Sequence, residues 1–253
     1  MKQLLVLFIS ISALSLQGIQ AQSVDEILEN YFENTGGRAQ WEALQGVKYK
    51  AKVNQMGMEI PIDIVELKSG KQMTVINFQG QTIKQGVFDG TVVWSINMMT
   101  QKAEKSDQET TDNVIREMGS FPDPFLNYKS LGYTAELMGT EEMDGSECFK
   151  IKLTKKPLIV DGAEVENATY YYFDTENFVP LVVQSEIKSG EMKGQMSVSK
   201  MSDYQEVGGL YFPFSLTQGL KGQEGQVISF EEIILNPEIA DSEFAFPEDS
   251  TNE

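Results

Sequence analysis

The chain of 253 residues contains no histidine. That excludes the Ser-His-Asp triad, the Cys-His pair, His-ligated zinc or iron, and the side chain best suited to moving protons at neutral pH. Its one cysteine, Cys148, permits no intramolecular disulfide; with no base or second thiol near it in sequence, it reads as a structural thiol in a strand. Positive charge is scarce: 20 Lys and Arg stand against 38 Asp and Glu, a net charge of −18. Such a body repels nucleic-acid phosphates and anionic lipid surfaces, so no nucleic-acid partner is expected and the acidity reads as solubility. After residue 21 no apolar run comes near the roughly 20 residues that a membrane-spanning helix requires.

The start of the chain is different. Met1-Lys2-Gln3 leads into an apolar stretch from Leu4 to Leu16, and Gly18-Ile19-Gln20-Ala21 precedes an abrupt rise in polarity at Gln22. That is the layout of a cleaved secretory signal peptide, predicted over 1–21 with cleavage after Ala21. The cleavage region lacks the cysteine of a lipoprotein signal, so the mature protein is expected to carry no lipid anchor of its own. Residues 22–253 are expected to form one domain.

Ser23 and Glu26 make a capping-box pattern, and Val24, Ile27, Leu28, Tyr31 and Phe32 recur at helical spacing until Gly36-Gly37. A short second helix is expected through Ala39, Trp41 and Leu44. From Val47 the period becomes two: Val47, Tyr49, Ala51 and Val53 face one way and Lys48, Lys50 and Lys52 the other. Ile60, Ile62 and Ile64 continue this alternation, with Pro61 suggesting an edge or a bulge. A turn over Lys68 to Lys71 precedes a strand from Met73 to Phe78, and Val87 to Trp94 reads as a hairpin with a two-residue Asp89-Gly90 turn. Alternation then lapses. Thr111 or Asp112 can cap a helix through Val114, Ile115 and Met118, followed by the aromatic, proline-punctuated link Phe121 to Leu126. Strands resume near Tyr133 and run to Leu235, through an Asp144-Gly145 turn and a Gly208-Gly209 turn. The expected fold is α+β and mainly β: one antiparallel sheet of about 11 strands, with too few helices to cover it and those few lying in its concavity.

Four stretches carry a family likeness: Gly36-Gly37-Arg38 through Trp41-Glu42-Ala43-Leu44 into Val47; Phe88-Asp89-Gly90-Thr91-Val92-Val93-Trp94 with Ser95-Ile96-Asn97; Phe173-Asp174-Thr175-Glu176-Asn177-Phe178-Val179-Pro180-Leu181; and Leu235-Asn236-Pro237 through Phe244, with Phe246-Pro247. Together they resemble the periplasmic lipoprotein carriers and their outer-membrane receptor relatives, the LolA-like and LolB-like proteins. The resemblance implies an unclosed antiparallel half-barrel lidded by helices. It also implies a periplasmic location, an apolar cavity for lipoprotein acyl chains or another lipid, and passage toward an outer-membrane receptor, with an inner-membrane release complex as a further partner. It implies a monomer that needs no cofactor and no metal. In the carrier an arginine in the turn before the Met73 to Phe78 strand ties the lid; here that turn reads Lys68-Ser69-Gly70-Lys71, and Lys71 lacks the planar fork of donors.

The candidate cavity residues are Ile62, Ile64, Val75, Trp94, Phe121, Phe125, Met196, Val198, Phe212 and Phe214, and the 12 methionines suit an adaptable pocket. No enzyme is expected. The pairs Glu141-Glu142 and Glu231-Glu232 sit on strands, where neighbours point to opposite faces and cannot converge on a substrate. Asp107, Glu109 and Asp112 lack the glycine and bidentate glutamate of a calcium loop. Asn167-Ala168-Thr169 matches a glycosylation acceptor that a bacterial envelope leaves unread. A second functional reading fits the same fold: a periplasmic sensor or interaction domain that binds an envelope protein or a lipid signal and transports nothing.

Overall fold

Ser23 opens the first helix as its spacing to Glu26 requires: the Glu26 amide donates to the Ser23 hydroxyl and the Ser23 amide to the Glu26 carboxylate, which satisfies amides the helix leaves free. In this computed structural model, which describes residues 22–55 and 57–247, helix α1 is Val24–Asn34 and helix α2 is Arg38–Ala43. The expected signal peptide and the polar tail from Glu248 lie outside the described residues. The chain continues as β1 (Gly46–Gln55), β2 (Met58–Leu67), β3 (Gln72–Phe78), β4 (Gln81–Phe88), β5 (Val93–Ile96) and β6 (Ala103–Lys105). Helix α3 (Gln108–Glu117) follows, then β7 (Thr134–Met143), β8 (Ser146–Thr154), β9 (Leu158–Val160), β10 (Ala163–Val165) and β11 (Ala168–Asp174). The last strands are β12 (Pro180–Glu186), β13 (Met196–Val207), β14 (Leu210–Leu220) and β15 (Gln226–Leu235), before a single 3-10 turn at Asp241–Glu243.

Thirteen strands form one antiparallel sheet in the order β6-β5-β4-β3-β2-β1-β15-β14-β13-β12-β11-β8-β7, while β9 and β10 pair only with each other. The end strands β6 and β7 do not pair, so the half-barrel is unclosed. The expectation of about 11 strands falls short because three-residue strands such as β6 are too brief to show alternation. Strand β2 is interior, not an edge; Pro61 is tolerated because pairing with β3 begins only at Ile62, leaving it one paired neighbour.

Turn chemistry divides cleanly. Asp144-Gly145 joins Met143 and Ser146 as a two-residue turn, with φ of 51° and 87° as a type I′ turn demands. Asp89-Gly90 does not form one: Phe88 pairs with Val93 across a four-residue loop. Its Asp89 carboxylate accepts from the amides of Thr91 and Val92 and from the Thr91 hydroxyl, an Asx turn that needs positive φ only at Gly90. The cap of α3 is Asp107, which accepts from the Thr110 amide, and not Thr111 or Asp112. Thr111 is buried instead, its hydroxyl receiving the Val93 amide.

Helices α1 and α2 lie on one face of the sheet. Ile27, Leu28, Tyr31, Phe32, Trp41 and Leu44 pack with Phe125 and Leu126 against Val47, Ile151, Leu153, Phe173, Leu210, Phe212 and Ile233. The end of α1 is set by close approach: the Tyr211 amide donates to the Thr35 carbonyl, and a Cβ at Gly36 (φ +114°) would sit 2.0 Å from the Gly209 carbonyl oxygen. Only glycine fits there.

The opposite face is apolar in places too. Val65, Met73, Val87 and Trp94 are covered by the C-terminal segment, with Phe244 fully buried among them and Phe246 edge-on to Trp94 at 5.9 Å. The Trp94 indole N–H donates to the Phe244 carbonyl at 2.8 Å, and Lys71–Asp241 and Lys84–Glu243 ion pairs flank the segment. Phe244→Ala should therefore lower unfolding free energy by about 3–5 kcal/mol. A urea titration would show it, and a loss below about 1 kcal/mol would mean that the segment is not part of the core.

Candidate ligand-binding cavity

Register fixes which side chains share the helix-covered face. Residues paired across antiparallel strands point the same way, so Ile60, Val53, Ile228, Leu216 and Met201 form one lateral row across β2, β1, β15, β14 and β13. None of them belongs to a packed core cluster, and each is half-buried. The row nearer the helices holds Ile76, Ile62, Ala51 and Phe230; the next holds Thr74, Ile64, Tyr49 and Ile233, where the helices begin to pack. Beyond it stands Glu66, paired with Val47. The inner face is thus apolar at its open end and becomes polar toward the cover.

Asp123, on the link after α3, accepts from the Tyr31 hydroxyl at 3.0 Å and from the Phe125 amide at 2.8 Å. Desolvation raises its pKa to about 6 despite these bonds and the positive charge of Arg38. Burial also pushes the phenols of Tyr31, Tyr49, Tyr171 and Tyr204 well above their ordinary range, and the Asp123 carboxylate adds to each shift. Tyr204 donates to the Pro180 carbonyl, but the hydroxyls of Tyr49 and Tyr171 have no partner among the described residues. Every fully buried side-chain nitrogen or oxygen there has one, so these two hydroxyls open onto space. Glu66, at the end of β2, is exposed to solvent yet crowded enough by its neighbours that desolvation raises its pKa, and it has no partner among the described residues. It lines a cleft of about 320 Å³ between the β2–β3 turn, the end of α3 and the link through Phe121, Pro122 and Pro124. Lys71 and Lys155 line the same cleft but are engaged by Asp241 and Glu117.

The ten residues expected to line a cavity do not share a face. Ile62, Ile64, Phe212 and Phe214 lie on the helix-covered side; Phe125 is packed into its core beside Tyr171 at 4.7 Å, and Phe121 flanks the cleft. Val75 and Trp94 lie on the other face under the C-terminal segment. Val198 packs there with Cys148, Tyr172 and Val182, and Met196, two residues before it on β13, points the same way. The physical reason is that both faces carry apolar patches, so alternation alone cannot say which is inner. Tyr49, Tyr171, Glu66 and Asp123 were missed because they are polar; the alternation of Tyr49 with Lys48 and Lys50 carried the only sequence signal.

The cover is fastened from α1 and α2, not from the β2–β3 turn. Asp25 pairs with Lys129 at 2.7 Å and accepts from the Tyr128 hydroxyl, and Tyr31 reaches Asp123. Arg38, over the Phe32 ring at 4.3 Å, donates to the Leu126 carbonyl. An arginine does tie the lid segments, but it opens α2. Lys71 faces the C-terminal segment, while Lys68 donates to the Glu42 carbonyl of α2.

Other candidates are held in structural contacts. Glu231 and Glu232, expected to diverge, both reach lysines of one face, Lys52 and Lys50, because the register shifts at that point of the β1–β15 pairing. Asp107 caps α3 and Glu109 receives the amides of Asp161 and Gly162. Asn167 is buried and donates to Glu117 and to the Lys156 carbonyl. Burial pushes the Cys148 thiol to about 11.

No family model and no curated protein matches the chain in sequence. Solved structures do. A LolA superfamily protein of Nitrosomonas europaea, NE2245, superposes with a TM-score of 0.52 at 14% identity, covering 88% of this chain and 97% of that one. A putative outer membrane lipoprotein-sorting protein domain of Vibrio parahaemolyticus gives 0.51 at 10% identity, over 87% and 94%. A DUF1329 family protein of Desulfovibrio piger gives 0.52 at 13%, over 88% and 98%. The fold is LolA-like.

The raised carboxyl of Asp123 has a testable sign. Because the folded state holds this proton up to about pH 6 and an unfolded Asp releases it near 3.9, its contribution to stability is present below about pH 4 and is lost as pH rises through 6. Asp123→Asn keeps an acceptor for Tyr31 and Phe125 without the charge. It should gain about 2 kcal/mol over the parent at pH 7.5 and nothing at pH 4, read from paired thermal or urea unfolding. A difference independent of pH would refute the assignment.

Proposed function

We propose that the chain is a periplasmic carrier that binds the acyl chains of a lipoprotein, or of another lipid, on the inner face of its half-barrel for transfer to the outer membrane, and does no chemistry on them. The observation that carries this reading is the half-buried apolar row of Ile60, Val53, Ile228, Leu216 and Met201, which lies outside the packed clusters and continues inward through Ile62 and Ile64. A sheet face that is apolar and left open by its own helices has an unmet demand for apolar contact. The likeness in fold to a lipoprotein-sorting domain and the signal-peptide layout of residues 1–21 support the same reading.

Affinity then needs no charge or metal. Each methylene moved from water contributes about 0.8 kcal/mol, so burial of about ten would hold a chain firmly. Release requires the cover to move, which means breaking the contacts of Asp25, Tyr31 and Arg38 with the link. An outer-membrane receptor that offers a more apolar cavity would supply the drive.

The test is direct. The protein is purified without detergent, extracted for mass spectrometry, and titrated with a fluorescent long-chain alcohol, alongside Leu216→Asp. Leu216 is half-buried and outside the packed clusters, so the variant should fold, as circular dichroism would confirm. Co-purified acyl lipid and saturable binding weakened by about tenfold or more in the variant are expected. A lipid-free protein that ignores the probe would end the carrier reading.

A further inference from the structure

Three polar groups on the helix-covered side have no hydrogen-bond partner among the described residues: the half-buried Tyr49 and Tyr171 hydroxyls and the exposed Glu66 carboxylate. Every fully enclosed side-chain polar atom is bonded, so the two half-buried hydroxyls reach open space, and the exposed Glu66 reaches it at the cleft. Tyr49 and Glu66 are diagonal neighbours on β1 and β2, since Tyr49 pairs with Ile64 and Val47 with Glu66. Diagonal side chains on one face are within reach of each other when long. Asp123 interacts electrostatically with both Tyr49 and Tyr171, and the prolines on either side of it line the same cleft as Glu66. The lysines of that cleft are neutralised by other acids, so its free charge is negative.

The chemistry of this arrangement selects a head group. An ionised carboxylate only accepts hydrogen bonds, and a phenol can accept one as well as donate one. An anionic head would meet Glu66 and Asp123 with no free cation to offset them. A primary amine or a hydroxyl would satisfy Glu66 and leave Tyr49 a partner. From Glu66 the same face of β2 presents Ile64, Ile62 and Ile60 in turn, an apolar track of about 20 Å at strand spacing.

We propose that the ligand is an amphiphile whose head donates hydrogen bonds, an amine or a hydroxyl and not a carboxylate or phosphate, received by Glu66 and Tyr49 while its chain lies along Ile64, Ile62 and Ile60. This rests on the carrier reading and adds the polarity and orientation of the bound lipid to it.

The experiment displaces the fluorescent long-chain alcohol with dodecylamine, dodecanol and dodecanoate, in about 0.3 M salt so that the surface charge of the acidic body is largely screened. The parent protein is compared with Glu66→Gln and Tyr49→Phe. Dodecylamine should compete at least about tenfold better than dodecanoate, the size expected for a charge-assisted hydrogen bond. That ratio should collapse toward one in Glu66→Gln, and narrow in Tyr49→Phe, while dodecanol competes unchanged in Glu66→Gln or weakens by less than the amine. Equal competition by amine and carboxylate, or a preference that survives in Glu66→Gln, overturns this proposal and leaves the carrier standing. Failure of the alcohol probe to bind the parent overturns both.

Discussion

An antiparallel sheet that does not close must find something to lie against each apolar face, and that demand organises the molecule. Thirteen strands present more apolar surface than the three helices of the described chain can shield. The helices and the link through Phe125 fill one end of the inner face, and the last described residues fill part of the outer one. What the packed clusters leave out is a row of half-buried aliphatic side chains at the open end. It lies on the same side of the sheet as the helices, as the register shows.

The strand-helix order of this fold was legible in the sequence because its signals are local. The capping box at Ser23 and Glu26, the alternation of Val47, Tyr49, Ala51 and Val53 against lysines, and the Asp144-Gly145 turn each depend on a few adjacent residues. The cavity was legible only in part, because its location depends on pairing at long range. Ile62 and Ile64 belong to the inner face, but Val75 and Trp94 are equally apolar in an equally regular pattern and face outward. Nothing near residue 94 announces that Phe244 and Phe246 will return to cover it. The two Asp-Gly pairs make the same point: identical dipeptides gave a two-residue turn and a four-residue Asx loop, according to how the flanking strands pair.

Polar residues in the interior were the least legible of all. Asp123 sits between two prolines in a segment that reads as a surface link, yet it is the carboxylate that fastens α1 through Tyr31. A buried acid with only two hydrogen bonds is costly. Its negative charge also bears on the phenols of Tyr49 and Tyr171, so one carboxylate both fastens α1 and shapes the electrostatics beneath it.

The strand order also separates the chain in time. Strands β1 to β6 form one sequential meander and β7, β8 and β11 to β14 another, with β9 and β10 looped out, and the two meet in the sheet only through β15, which lies between β1 and β14. The strand that joins the halves is therefore synthesised after every other described strand. Until Gln226 to Leu235 has emerged, β1 and β14 are both exposed edges, and the inner face that straddles them does not exist. Contacts this distant in sequence form late because the closure entropy comes first. Each meander can pair within itself before then, and only the pairing of β15 with β1 and β14 makes the two one sheet.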